Sequence, residues 1–331
     1  MGSTADRLAG ALLGQALGDA LGFVVEAQPP EIAQDYVDNW VRTGRAMERS
    51  HPQYPFGQYS DDTQLARELL RSVRERGGWH PDAFAERLAA LFRDRLDVGA
   101  GQGTRSAALR LLMGVPWSES GTPAPYAGNG SAMRAGPLGL LFAEFDPMAR
   151  AAREQSRITH LDSRCTAAAV AVARTVSIAA RRQTIGADKF LLELARAVED
   201  DAPEFSKAIQ ELRGWITLAP AAAARHVHES GLDPAHPRWQ GISAFVIPSV
   251  LWSLYAFLRS PDDYHETICT AIAVGGDTDT MAAIAGAISG ARVGVEGLPR
   301  ELLGYLTDQG AWRAGELEEL ARSCAELAGS R

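Results

Sequence analysis

The chain has 331 residues, 46% hydrophobic and 22% charged, enough to bury a sizeable core and, at roughly 150 residues per domain, to form one or two domains. Its 33 basic against 41 acidic side chains leave a net charge of −8, which argues against general nucleic-acid binding, because that takes a clustered basic surface. Three cysteines, Cys165, Cys269 and Cys324, form no CxxC pair and no disulfide framework; they read as reduced, buried thiols of a cytoplasmic protein.

Leu8, Leu12, Ala16, Leu17, Ala20 and Leu21 recur at three- and four-residue steps and predict a first helix with Thr4 as its N-cap. Gln15 and Asp19 interrupt this apolar stretch, and no signal-cleavage pattern follows it. Leu65, Leu69, Leu70 and Val73 predict a helix ending at Gly77-Gly78, and Pro81 opens another that carries Phe84, Leu88, Leu91 and Phe92. Residues 165–180, rich in small and β-branched side chains, are too long for one strand and read as a buried helix. Further helices are predicted at 187–198, 205–216, 264–272, 281–291 and 317–327. The longest apolar run, 244–258, contains Pro248, Ser249 and Ser253. At about 15 residues it falls short of the roughly 20 that a membrane span needs, so it reads as a core helix. Alternating strand patterns are nearly absent, and no linker, charge block or solenoid repeat divides the chain. The expectation is one all-α domain over residues 5–329, monomeric and cytoplasmic.

Glycines gather at helix approaches: Gly99-Ala100-Gly101-Gln102-Gly103, Gly128-Asn129-Gly130 and Gly275-Gly276. Such loops let backbone N–H groups come close to a ligand, and a following helix N-terminus favours an anion. Glycine is also an ordinary loop or C-cap residue, so each loop alone says little.

Two acidic sets carry more. Ser60-Asp61-Asp62-Thr63 precedes the Leu65 helix, and Asp277-Thr278-Asp279-Thr280 precedes the Met281 helix. Either set alone reads as an N-cap, yet one acid suffices for a cap and each set has two. Brought together, four carboxylates would repel and raise one another's pKa values. Two divalent cations would cancel that charge. Oxygen-only donors suit Mg²⁺ or Mn²⁺ rather than zinc, and two such ions about 3.5–4 Å apart orient a substrate and activate water. The inference requires the two sets to meet in space.

The chain resembles the ADP-ribosylglycohydrolase family, whose members include the glycohydrolase that reactivates dinitrogenase reductase. The resemblance lies in motifs in the family's order. They are Gly10-Ala11-Leu12-Leu13-Gly14, then Leu17-Gly18-Asp19-Ala20-Leu21-Gly22 with Glu26, then Ser60-Asp61-Asp62-Thr63. Gly101-Gln102-Gly103-Thr104, Gly128-Asn129-Gly130-Ser131-Ala132-Met133-Arg134 and Thr159-His160 follow. Gly275-Gly276-Asp277-Thr278-Asp279-Thr280, with a small-residue helix behind it, is the most specific.

The resemblance implies an all-α fold with a binuclear Mg²⁺ or Mn²⁺ site. Its ligands would be Ser60, Asp61, Asp62, Asp277, Asp279 and Thr280; where the family often has Thr, this chain keeps the hydroxyl as Ser60. Glu26, which read alone is a solvated loop acid, would lie beside the metals and act in catalysis with Asp62 and Asp277. Gly128, Asn129, Gly130 and Ser131 would hold ADP-ribose. Arg134 would reach the pyrophosphate or, equally, pair with a helix acid inside the protein. His160 would pack near the adenosine, although read alone it is a cap or core residue, and Tyr126 is a candidate stacking partner. Thr63 and Thr278 would support local turns, and Asp19 a structural contact. His226 and His228 lack the spacing of a helical zinc pair and read as a solvated helix end.

The function expected is hydrolysis of the bond between ADP-ribose and an acceptor, an ADP-ribosylated protein or other ADP-ribose conjugate. Arginine is the first choice of linkage, with serine, nucleic acid or a small molecule as others. The alternative is a catalytically silent ADP-ribose-binding protein on the same scaffold. Oxygen donors at every expected metal position favour the enzyme. No His-Asp dipeptide occurs, which argues against an HD-type phosphohydrolase.

Overall fold

The helical spacing is realised in a computed structural model that describes residues 2–231 and 239–329. Its first part holds α1 (Thr4–Phe23), α2 (Pro30–Tyr36), α3 (Asp61–Arg76), α4 (Pro81–Arg93) and α5 (Gln102–Leu112). Short α6 (Leu138–Leu141) leads to α7 (Phe145–Arg157), α8 (Ser163–Arg181), α9 (Ala187–Val198), α10 (Pro203–Leu212) and α11 (Pro220–Ser230). The chain finishes with α12 (Val246–Arg259), α13 (Tyr264–Ala273), α14 (Thr278–Val293), α15 (Arg300–Leu303) and α16 (Ala314–Gly329). Among the described residues, extended pairing is limited to isolated bridges, so the fold is all-α.

Local chemistry sets the helix ends. Ser3, rather than Thr4, caps α1: its hydroxyl accepts the Asp6 amide at 3.1 Å, and Thr4 is already helical. α3 stops at Gly77, whose φ of +68° is left-handed. α10 ends at Leu212, short of 216, because the backbone tightens into successive turns through Gly214. Pro248 sits in the first turn of α12, where the amide it lacks would have no intrahelical partner. No helix among the described residues is long and apolar enough to cross a membrane.

The centre of the core is α1 against α14, running antiparallel. Gly10, Gly14, Gly18 and Gly22 recur every fourth residue along α1. A Cβ on each would lie 2.4, 2.5, 2.1 and 2.4 Å from the carbonyl oxygens of Gly290, Gly286, Ala282 and Thr278. The backbones therefore touch with no side chain between them. Glycine in a helix interior costs about 1 kcal/mol relative to alanine, and close packing of the two backbones offsets that loss here. Because the helices are antiparallel, the end of α1 meets the start of α14.

A second glycine pair fixes the approach to α14. Gly275 and Gly276 have φ of +74° and +84°, and a Cβ on Gly276 would fall 2.1 Å from the Ile242 carbonyl oxygen. Gly276 accepts the Ala27 amide at 2.8 Å and donates to Gln28 at 2.9 Å. The turn carrying Glu26 is thereby clamped to the acidic start of α14.

Candidate metal centre and active site

The two acidic sets meet. The Thr280 hydroxyl lies 3.2 Å from both carboxylate oxygens of Asp62 and donates to them. Asp19, Asp62 and Asp279 bring one carboxylate oxygen each within 4.8 Å of one another, as do Glu26, Asp277 and Asp279. Asp279 belongs to both groups.

Capping does not account for these acids. At α3 the cap is Ser60, whose Oγ accepts the Asp62 amide at 3.3 Å, so neither Asp61 nor Asp62 is needed for it. At α14 Asp277 occupies the cap position without making a side-chain cap bond, and the buried Oδ1 of Asp279 has no hydrogen-bond partner.

Asp19 extends the arrangement from α1. Its fully buried carboxylate accepts the Ser60 amide at 2.9 Å, the Thr63 amide at 3.0 Å and the Thr63 hydroxyl at 2.6 Å. A carboxylate on one helix thus caps another. One turn earlier, the Gln15 amide donates to the Asp62 carbonyl at 2.8 Å and the Met133 carbonyl at 3.1 Å. The Thr278 hydroxyl donates to the Gly22 carbonyl at 2.9 Å, so Thr63 and Thr278 both brace neighbouring helices rather than only their own turns.

Burial raises the pKa of every one of these acids, and for Glu26, Asp61, Asp62 and Asp279 neighbouring carboxylates add to it. Glu26 is pushed up to about 7 by burial, with Asp277 and Asp19 contributing. Asp19 rises to about 6 from burial, less the effect of its hydrogen bonds. Asp61, Asp62 and Asp279 are driven well above the usual carboxylate range by burial and then by other acids, and Asp277 is raised by burial. A crowded, oxygen-only donor set with one bare buried oxygen fits hard divalent cations.

The 128–131 loop forms a tight 3-10 turn over Asn129–Ser131 beside the acids. The Asn129 amide group donates to Ser249 Oγ at 3.0 Å and to the Asp277 carboxylate. The Ser131 hydroxyl turns inward, donating to the Cys165 carbonyl at 3.3 Å and accepting from Ser156 at 3.0 Å. Arg134 corrects the expectation placed on it. Its guanidinium is fully buried and donates to Gln155 Oε1 (2.7 Å), the Gly130 carbonyl (2.9 Å), the Gln155 carbonyl (2.9 Å) and Thr159 Oγ1 (2.7 Å). It forms no ion pair among the described residues. Its donors are used to hold the loop from behind, and burial lowers its pKa to about 9.

That use of Arg134 sets the state of His160. Thr159 Oγ1 accepts from Arg134 and lies within hydrogen-bond distance of His160 Nδ1, at 2.8 Å. Burial, with Arg134 nearby, holds the His160 pKa down to about 3, so the ring is neutral. The Tyr126 ring stacks on it with centroids 5.7 Å apart and 27° between planes. A Cβ on Gly130 would lie 2.9 Å from His160 Cε1, and one on Gly128 3.5 Å from Nε2, so both glycines leave room for this ring. His226 stands apart, exposed and stacked on Trp215 at 5.3 Å.

The sequence profile of the ADP-ribosylglycohydrolase family matches residues 2–331. The chain belongs to this family. It is 31% identical over 314 residues to a Rhodospirillum rubrum protein named ADP-ribosyl-[dinitrogen reductase] glycohydrolase, covering 92% of this chain and 91% of that one. It is 28% identical over 333 residues to human ADP-ribosylhydrolase ARH3, covering 88% and 87%. A solved structure titled "ADP-ribosylglycohydrolase-related protein complex" superposes with a TM-score of 0.74 at 27% identity, over 99% of this chain and 100% of that one. Within this family fold, the residues that sequence reading missed or undervalued are Gln15, Asp19 and Ser249. All three left a signal as polar residues within apolar helical runs, Asp19 the clearest as an acid.

Proposed function

We propose that this ADP-ribosylglycohydrolase-family protein hydrolyses the glycosidic bond between ADP-ribose and an acceptor side chain, arginine first, with serine the next choice. Family membership and the named relatives support ADP-ribosyl hydrolase activity. The observation that carries the finer reading is the meeting of the two acidic helix starts through Thr280 and Asp62.

Ser60, Asp61, Asp62, Asp277, Asp279 and Thr280 would hold two divalent cations, Mg²⁺ or Mn²⁺. When bound, such ions supply positive charge that orients ribose hydroxyls and favours ionised water. The remaining work belongs to the chain. Glu26, raised to about 7 by burial, is suited to take the proton of the water that attacks the anomeric carbon and to return it to the leaving group. Asn129 fixes the Asp277 carboxylate, and the Gly128–Gly130 backbone lies beside the neutral ring of His160. Tyr126 and His160 offer flat faces for the adenine. Arg134 acts through the loop it holds. We read residues 5–329 as one domain working as a cytoplasmic monomer; its three cysteines are buried free thiols, as a reducing compartment would keep them.

The test is Asp62→Asn and Asp279→Asn. Each is expected to lose bound divalent cation and turnover while its circular dichroism stays helical. Wild-type turnover by either variant in chelator-treated buffer would remove the metal mechanism. Glu26→Gln is expected to keep metal occupancy while losing about 10²–10⁴ in kcat; an unchanged kcat returns Glu26 to the status of a loop acid.

A further inference from the structure

A helix start leaves its first amides without an acceptor in the helix itself. At α3 these amides belong to Ser60, Asp61, Asp62 and Thr63. Side chains meet three of them: Ser60 and Thr63 donate to the Asp19 carboxylate, and Asp62 donates to Ser60 Oγ. The Asp61 amide is the exception. It donates at 2.7 Å to the carbonyl of Val98, in the loop between α4 and α5. A Cβ on the next residue, Gly99, would lie 3.8 Å from Asp61 Oδ1, so the same loop also flanks the Asp61 side chain.

Gln64, one turn into α3 and fully buried, holds that loop. Its Oε1 accepts the Val98 amide at 3.0 Å, and its Nε2 donates to the Leu96 carbonyl at 2.9 Å. Nε2 also donates to Asp308 Oδ1 at 2.8 Å, which uses both of its hydrogens. Asp308 lies between α15 and α16, 244 residues beyond Gln64 in sequence. It is buried, and its other oxygen pairs with the buried Arg67 guanidinium. Arg67 in turn lies over the Trp312 ring, 5.1 Å from its centroid. The turn is pinned alongside: the Gln309 amide donates to Gln58 Oε1 at 2.8 Å and the Thr307 amide to the Gly57 carbonyl at 2.9 Å. Two buried charges are costly to desolvate, and apolar residues of similar size stabilise such a place at least as well. What the Asp308–Arg67 pair adds is a fixed direction for the Gln64 carboxamide.

We propose that Gln64 and Asp308 are positioning residues for Asp61: Asp308 aims the Gln64 carboxamide, and Gln64 holds the Val98 carbonyl against the Asp61 amide. The inference rests on the reading of Asp61 as a cation ligand given above. Cation affinity then depends on a turn near the end of the chain that acts only through Gln64 and the loop before α5.

The experiment measures Mn²⁺ Kd and the bound-Mn²⁺ spectrum by electron paramagnetic resonance, with thermal midpoints in chelator. Gln64→Met keeps the length of the side chain, loses its hydrogen bonds and is expected to raise Kd about tenfold with an altered spectrum. Asp308→Ala is expected to raise Kd equally, and the double variant no further, because the two residues act in series. Tyr59→Phe is the control. It removes the hydroxyl that donates to the Trp312 carbonyl at 2.9 Å in the same turn, and is expected to lower the midpoint while Kd stays at the wild-type value. Wild-type Kd in Gln64→Met, or an equal rise in Tyr59→Phe, overturns the positioning role and leaves the cation site standing. Wild-type Kd in Asp61→Asn ends both. Comparison of Gln64→Met with Tyr59→Phe decides the matter even where Asp308→Ala does not fold.

Discussion

At the start of α3 the acids are braced from outside their own helix, whereas at the start of α14 the brace is backbone. Asp19 reaches from α1 to hold Ser60 and Thr63, and Gln15 holds the Asp62 carbonyl. Asp277 and Asp279 instead stand on a Gly275-Gly276 turn pinned to Ile242 and Gln28, with Asp279 Oδ1 left bare. One half of the site leans on side-chain hydrogen bonds and the other on a glycine turn, to which Asn129 and Thr278 add side-chain bonds. The two halves therefore respond differently to substitution.

The largest expected contrast is between Asp279→Asn and Asp19→Asn. Asp279→Asn removes a carboxylate that is crowded by others, so it raises the thermal midpoint in chelator while reducing turnover in Mn²⁺ by about 10³ or more. Asp19→Asn breaks the three-donor cap, so it lowers the midpoint and weakens Mn²⁺ binding by about 10–100-fold, read by electron paramagnetic resonance. Midpoint shifts of the same sign would show that the two halves are not differently supported.

Gly18→Ala tests the platform beneath both halves. The added Cβ falls 2.1 Å from the Ala282 carbonyl oxygen, and a loss of about 3 kcal/mol in denaturant unfolding is expected. A smaller effect follows from pH. Glu26 and Asp19 bind protons in the folded chain up to about 7 and 6, against ordinary values of 4.5 and 3.8. Between those limits the folded chain holds more protons than the unfolded one, so stability falls as pH rises. Thermal midpoints in chelator should decline from about pH 4 to 7, and added Mn²⁺ should cancel the decline. The smallest effect is Ser60→Thr, which keeps the hydroxyl that caps α3 and should leave kcat/KM within about twofold.

Much of the fold is legible in the sequence because helical spacing is a local property. α9 occupies the predicted residues 187–198, and Gly77 ends α3 where a left-handed residue is needed. The acids at 61–62 and 277–279 stand out because they exceed what a cap requires. What the sequence cannot express is which helix faces which. The bond from the Ser60 amide to Asp19 joins residues 41 apart and that from Thr280 to Asp62 residues 218 apart, and both depend on helix packing. Arg134 misleads for a related reason. A guanidinium after a glycine loop looks ready for phosphate, and only the carbonyls behind the loop reveal that its donors point inward.

The glycine contact between α1 and α14 bears on the order in which the chain can assemble. Thr278 and Gly22, which bond there, are 256 residues apart. A polypeptide emerging from the ribosome makes its first helix early, with one long face that only the fourteenth helix can cover. Loop closure on that scale is slow, and the uncovered face is the segment most in need of protection meanwhile. Chaperone dependence during synthesis should accordingly track the interval between these two helices.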